Sequence, residues 1–130
     1  MMEVLITGHS LGGALAQLLA LDLRMRLGPE AAISMYSFGA PRVGNRAFAD
    51  LYDNAVPRSY RVVLRNDIVT TMPGPLFYAH GGQEVVMDCC GYLLVDPSLV
   101  ERVFRPSRRS VQDHSIFSYM KAIEQGLRRW

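Results

Sequence analysis

Residues 8–12 read Gly-His-Ser-Leu-Gly and place Ser10 between two glycines in the pattern G-x-S-x-G. The apolar run at residues 4–6 before this pentapeptide and the leucine- and alanine-rich segment after it predict a strand, a sharp turn and a helix. In that context the Ser10 hydroxyl stands at the tip of a strained turn and can act as a nucleophile. We expect both glycines to be required, because the backbone passes too close there for a Cβ atom. The Leu11 N–H at the start of the helix is the expected donor to an oxyanion.

A nucleophilic serine needs a general base, and three histidines are candidates. His9 neighbours Ser10 on a tight turn, so its ring is expected to point away from the hydroxyl. His80 lies in a Tyr-x-His-Gly-Gly stretch and is interpreted as a structural loop residue. His114 follows a long loop and precedes the last predicted helix, where a loop can bring a base over the serine. His114 is therefore the predicted base.

The base in turn needs an orienting carboxylate, and Asp67 is the best placed candidate. It follows directly on a predicted central strand, at the edge of a parallel sheet where ligands bind. Asp113 is adjacent to His114 and is interpreted as a helix N-cap, while Asp88 and Asp96 lie in turn-like surroundings. The chain order serine, aspartate, histidine is the one expected of an α/β-hydrolase.

The elements that must position these residues alternate between strand and helix, which predicts a parallel α/β fold. Strands are predicted near residues 3–7, over 31–38 and over 59–65, with helices over 11–27 and from Asn45, as N-cap, to about 53. Residues 83–87 and 92–95 are predicted as two short strands or a hairpin, and a final amphipathic helix over about 113–125. The leucines of the 11–27 helix, at positions 11, 15, 18, 19 and 21, are interpreted as core.

Composition narrows the class of protein. The 130 residues are 49% hydrophobic and 20% charged with a net charge of +2, which suits one globular domain and gives no indication of nucleic-acid binding. No apolar run approaches the roughly 20 residues of a membrane helix, and no signal-peptide pattern is present, so the compartment stays open. Cys89 and Cys90 lack metal-site spacing and are interpreted as idle thiols. A small basic cluster fits either an anionic lipid surface or a solvated face; its members are Arg102, Arg105, Arg108 and Arg109.

Five stretches together resemble the fungal-type class 3 triacylglycerol lipases, a family with the α/β-hydrolase fold. They are residues 8–14 (GHSLGGA), 38–45 (FGAPRVGN), 66–73 (NDIVxxMP), 78–85 (YxHxGxEV) and 113–119 (DHxxxxY). By this resemblance Ser10 is the nucleophile, Asp67 the acid and His114 the base of a triad that hydrolyses lipid esters without a metal or other cofactor, at a lipid–water interface.

The resemblance also implies that residues 1–130 form one incomplete α/β-hydrolase domain, a mostly parallel sheet with flanking helices. The family's earlier strands, its lid and the second oxyanion donor are expected to be missing. The strand with Val4, Leu5 and Ile6 would then have an unpaired edge, through which we expect the chain to self-associate.

Three questions stay open at this level. The acyl-binding wall is predicted at Met72, Leu76, Phe77 and Ile116, with plain core as the alternative role for these residues. Phospholipids, galactolipids, monoacylglycerols and feruloyl esters remain possible substrates beside triacylglycerols. The alternative function is that of a truncated, non-catalytic fragment that serves as a folding or interaction module.

Overall fold

A computed structural model describes residues 2–98 and 109–129, in which five strands form one sheet. In spatial order the strands are β1 (Glu3–His9), β2 (Ala32–Phe38), β3 (Ser59–Leu64), β4 (Gln83–Met87) and β5 (Leu93–Val95). The helices are α1 (Leu11–Leu27), α2 (Arg46–Ala55) and α3 (Ile116–Leu127), and short 3-10 turns cover Val69–Thr71 and Gln112–His114. Within the described residues no helix is both long and apolar enough to span a bilayer. Arg102, Arg105 and Arg108 of the basic cluster lie outside the described residues.

The sheet is mostly parallel, as predicted. Strands β1 to β4 run parallel, and β5 pairs with β4 in the antiparallel sense. The register pairs His9 with Phe38 and Phe38 with Val62, so the carboxyl ends of β1, β2 and β3 meet at one edge of the sheet. Ser10 and Asp67 follow the ends of β1 and β3, and this shared edge brings them together.

The core between the sheet and helices α1 and α2 uses small helix residues. Ala16 and Ala20 of α1 pack in one cluster with strand residues that include Ile33 and Met35. Short alanine side chains let α1 lie close to the strands, so side chains on the other sides of the helix point away from this interface. The prediction that the α1 leucines are core is wrong for four of them: Leu11, Leu15, Leu18 and Leu19 are 45% to 66% exposed.

Among the described residues, α3 covers the opposite sheet face near the carboxyl ends of the strands. Tyr119 and Ala122 of α3 pack there with Val62, Leu64 and Met87. Toward the other end of the same face Leu5 is 69% exposed, and the stacked rings of Tyr36 and Tyr60 border an apolar cavity of about 430 Å³. The described residues therefore leave part of this apolar face open to solvent.

The ends of the helices show one confirmed prediction and one wrong one. The Asn45 side chain accepts a hydrogen bond from the Phe48 N–H at 2.9 Å and caps α2, as predicted. Asp113, in contrast, is not the N-cap of α3, because α3 begins only at Ile116 after the separate turn Gln112–His114. The Asp113 carboxylate instead accepts a hydrogen bond from the Asn66 N–H at 3.3 Å. It thus ties the loop that carries His114 to the chain just after β3.

Candidate active site

Ser10 occupies the strained position that the G-x-S-x-G pattern predicts. It lies between β1 and α1 with φ 56° and ψ −127°, a conformation that a residue with a side chain rarely adopts. Its N–H donates to the Phe38 carbonyl at 2.9 Å, and its own carbonyl accepts the Gly13 N–H at 3.0 Å. The turn is therefore held by β2 on one side and by the first turn of α1 on the other.

The two glycines of the nucleophile turn (residues 8–12) are not equivalent. A Cβ atom at Gly8 would collide with the Gly12 carbonyl and lie 2.7 Å from the Gly13 nitrogen. A Cβ atom at Gly12 would meet nothing within 4 Å. The expectation of a close approach is confirmed for Gly8 and wrong for Gly12, whose outer side lacks a neighbour among the described residues.

Ser10, His114 and Asp67 form one continuous hydrogen-bonded chain. His114 Nε2 lies 2.8 Å from Ser10 Oγ, and His114 Nδ1 lies 3.0 Å from each carboxylate oxygen of Asp67. Because a carboxylate only accepts, we assign the ring proton to Nδ1, which leaves the Nε2 lone pair to accept from the Ser10 hydroxyl. This geometry can remove a proton from the serine as it attacks.

Asp67 is 1% exposed, and its carboxylate accepts hydrogen bonds from two uncharged donors in addition to the His114 ring. Its Oδ1 accepts the Val69 N–H at 2.9 Å, and its Oδ2 accepts the Tyr119 hydroxyl proton at 2.7 Å. Burial raises the pKa of Tyr119 far above its usual value, so the hydroxyl stays protonated and donates. Gly39 borders the same carboxylate, and a Cβ atom there would lie 2.5 Å from Asp67 Oδ2. These contacts fix the carboxylate that holds the imidazole.

Two residues of the site were missed by sequence reasoning. Tyr119 belongs to the D-H-x-x-x-x-Y stretch, but its bond to Asp67 spans 52 positions and leaves no local pattern. For His9 the sequence predicts only that the ring points away from the Ser10 hydroxyl. Its Nε2 instead contacts the His114 carbonyl at 2.8 Å, where it must be the donor, and its ring stacks on that of His114 with centroids 4.9 Å apart. The nucleophile turn thus also anchors the backbone of the base.

The structure also places three other histidine and apolar residues singled out from the sequence, namely Leu11, His80 and Ile116. Leu11 begins α1 and is 66% exposed, and its N–H belongs to the helix's first turn, whose N–H groups have no partner within the helix. His80 Nε2 contacts the Thr70 carbonyl at 2.7 Å, which agrees with a structural role. Ile116 follows His114 by two positions and is 47% exposed.

Leu76 and Phe77 of the predicted acyl wall lie at a different cavity from the catalytic side chains. Leu76 and Phe77 line a largely polar cavity with Arg42 and His80, and neither Ser10 nor His114 is among the described residues that line it. Met72 is half exposed, and its carbonyl accepts the Arg42 N–H at 2.8 Å. Their role in substrate binding stays a prediction. Nowhere in residues 2–98 and 109–129 do three or more His, Cys, Asp or Glu side chains group so that they could hold a metal ion.

Comparisons with known proteins find similarity to lipases. The sequence model of the family described as Lipase (class 3) matches residues 1–77. Phospholipase A(1) DAD1, chloroplastic, of Arabidopsis thaliana is 41% identical over 73 residues, which cover 56% of this chain and 16% of the relative. Phospholipase A1-Ialpha2, chloroplastic, of the same plant is 32% identical over 135 residues, which cover 95% of this chain and 28% of the relative. The chain therefore spans less than a third of the length of these two relatives.

A solved structure matches nearly the whole chain. It is described as "a serine protease triad forms the catalytic centre of a triacylglycerol lipase" and is 34% identical, with a TM-score of 0.76 over 97% of this chain and 50% of that chain. This match confirms the predicted α/β-hydrolase type of fold.

Substitution by alanine is expected to affect stability differently at the two glycines of the nucleophile turn. Gly8→Ala is expected to destabilise the chain by about 1–3 kcal/mol, because the new methyl group meets backbone atoms that cannot move freely. Gly12→Ala places its methyl group in open space within α1, so it is expected to be neutral or to stabilise by up to about 1 kcal/mol. Urea denaturation of both variants measures this difference. An equal loss in the two variants would contradict the open space beside Gly12.

Removal of the Tyr119 hydroxyl is expected to lower the stability of the chain. It accepts the Leu64 N–H at 2.9 Å, so Tyr119→Phe leaves that buried N–H without its acceptor and is expected to destabilise by about 1–3 kcal/mol. Amide hydrogen exchange at Leu64 should also become faster. Tyr36→Phe removes the same atom from a more exposed ring and serves as the control, with an expected change within about 0.5 kcal/mol. Unchanged Leu64 exchange in Tyr119→Phe would rule out this hydrogen bond.

Proposed function

Because this chain belongs to the class 3 lipase family, we propose that it carries the catalytic residues of a serine carboxylic-ester hydrolase that acts on lipid esters. The single observation that supports this most strongly is the contact of His114 Nε2 with Ser10 Oγ at 2.8 Å, while Nδ1 of the same ring faces Asp67 at 3.0 Å. A hydroxyl, an imidazole and a buried carboxylate in this order are the arrangement that nucleophilic acyl transfer needs.

In the proposed first half-reaction, Ser10 Oγ attacks the carbonyl carbon of the ester while His114 Nε2 takes the hydroxyl proton. Asp67 stays ionised and stabilises the imidazolium that forms. The tetrahedral oxyanion faces the Leu11 N–H and the positive end of the α1 dipole. His114 then returns its proton to the leaving alcohol, and the acyl group remains on Ser10.

In the second half-reaction, water attacks the acyl-enzyme with the same groups. His114 removes a proton from the water, the oxyanion forms again beside Leu11, and the proton passes back to Ser10 Oγ as the carboxylic acid leaves. These steps use side chains and backbone groups of this chain and require no cofactor.

Lipid esters are the proposed substrates for two reasons. The two plant relatives are named as phospholipases, and the structural match is named as a triacylglycerol lipase. Residues close to Ser10 and His114 in the sequence are also apolar: Leu11, Ile116 and Phe117 are 47% to 76% exposed and offer hydrophobic surface to an acyl chain.

An activity-based fluorophosphonate probe tests the nucleophile directly. We expect the folded chain to be labelled at Ser10, with labelling abolished in Ser10→Ala and slowed at least about 10³-fold in His114→Ala, because the base is lost. Ser34→Ala, which removes a hydroxyl from β2 away from the site, is the matched control and should label normally. A soluble, folded chain that takes up no probe would refute the proposed activity and favour the alternative of a non-catalytic folding or interaction module.

Self-association through β1 is the second part of the proposal. β1 is the edge strand of the sheet, and its Leu5 side chain is 69% exposed, which together favour strand pairing between two copies. We expect a concentration-dependent increase in sedimentation coefficient for the wild-type chain. Leu5→Lys should reduce it, because a charge on an edge strand opposes pairing. Leu76→Lys, at a similarly exposed leucine in a loop, is the control, and an equal reduction in both variants would argue against the β1 edge.

A further inference from the structure

The turn between β4 and β5 carries the two cysteines side by side. Their sulfur atoms are 3.8 Å apart, and both thiols are free. Cys89 is exposed and Cys90 is half-buried, so a reagent in solution can reach the pair. Neither residue takes part in the proposed hydrolysis.

Hydrogen bonds to Asp88 fix the backbone on which the two thiols stand. Asp88 Oδ1 accepts the Cys90 N–H at 2.8 Å and the Tyr92 N–H at 3.0 Å. The Asp88 carbonyl accepts the Gly91 N–H, and the Asp88 N–H donates to the Tyr92 carbonyl, both at 3.0 Å. One aspartate thus holds the turn on both sides of the cysteine pair.

Helix α3 restrains the same turn from outside. Gly91 has φ +82°, and a Cβ atom there would lie 2.5 Å from the Ala122 carbonyl oxygen and 2.5 Å from Gly126 Cα. The turn therefore rests directly on the backbone of α3. A shift of the backbone at the two cysteines would have to break this packing as well as the bonds to Asp88.

The separation of the sulfurs favours one kind of bond over another. A disulfide requires about 2.05 Å between the sulfurs, so closure would need a movement of nearly 2 Å in a restrained turn. Two sulfurs bound to one pyramidal, trivalent centre by bonds of about 2.3 Å lie about 3.5 Å apart, so bridging one atom needs a movement of only about 0.3 Å from the 3.8 Å between the Cys89 and Cys90 sulfurs. The pair is arranged to bind one bridging atom.

Space for the rest of such a ligand lies next to Cys89. This residue lines a cavity of about 310 Å³ together with Leu64 and Ala122, and the side chains of Lys121 and Gln125 border it. The cavity combines apolar and polar walls and accepts a group of the size of an aromatic ring.

From this geometry we infer that Cys89 and Cys90 form a bidentate site for a thiophilic electrophile, specifically a trivalent organoarsenical whose substituent enters the cavity beside Cys89. An arsenoxide, R–As=O, reacts with both thiols: two S–H bonds and the As=O bond break, two As–S bonds form, and one water leaves. No oxidant or reductant is needed, because arsenic stays trivalent.

A reagent that bonds to only one of the two thiols is expected to react slowly. The hydrogen bond between the two thiols raises the pKa of the Cys89 thiol, which lowers the fraction of reactive thiolate. A reagent that bonds to one sulfur should therefore act slowly, whereas a reagent that bonds to both gains from the second, intramolecular bond.

Phenylarsine oxide with the native, reduced chain is the direct test. Intact-mass spectrometry should show one phenylarsenic group per chain, removed by a dithiol competitor and resistant to the same concentration of a monothiol. Cys89→Ser and Cys90→Ser should each weaken retention by about 10²-fold, because either change leaves only one sulfur ligand. Ser34→Ala, with both thiols intact, should behave as wild type.

Two outcomes would overturn the inference. Equal retention by wild type and by either single-cysteine variant would mean that one thiol suffices. Loss of the mass of two hydrogens when the native chain is treated with oxidised glutathione would mean that the turn closes to a disulfide, against the restraint described above. Both readouts are independent of ester hydrolysis, so their failure is distinct from a failure of the proposed function.

Discussion

The buried carboxylate of Asp67 is the group on which the rest of the site depends. Taking a charged carboxylate out of water is strongly unfavourable unless hydrogen bonds replace its hydration. Three elements supply them: the His114 ring just before α3, the Tyr119 hydroxyl within α3, and the Val69 N–H in the turn after β3. Because the same carboxylate satisfies all three, the position of α3 on the sheet and the orientation of the imidazole are determined together.

The sheet contributes by ending its parallel strands at one edge. β1 delivers Ser10, and β3 leads to Asp67, while β2 between them supplies the Phe38 carbonyl that receives the Ser10 N–H. The His9 contact with the His114 carbonyl then joins the nucleophile turn to the loop of the base across 105 positions. The serine and histidine are thus positioned by hydrogen bonds to the backbone carbonyls of Phe38 and His114 as well as by their own contact.

Several apolar side chains are exposed at separate places on the described part of the chain. They include the outer leucines of α1, Leu5 on β1, and Tyr36, whose ring stacks on that of Tyr60 on the sheet face. Exposed apolar surface can mark places where protein or lipid binds. The proposed strand pairing and the proposed lipid substrate each account for part of it.

The sequence alone was sufficient for the order of strands and helices and for the cap at Asn45, because turn chemistry and periodicity are local. It also singles out Ser10, Asp67 and His114, which the structure brings into hydrogen-bond contact. It could not decide which side of α1 is buried, since a helix rich in both alanine and leucine offers two apolar faces and only the close approach to the strands selects one. It also carries no signal of the hydrogen bond between Tyr119 and Asp67, and it predicts wrongly that Asp113 caps the last helix. Both features depend on contacts between residues 47 or more positions apart. Strand register and helix packing create such contacts, so only the tertiary structure decided them.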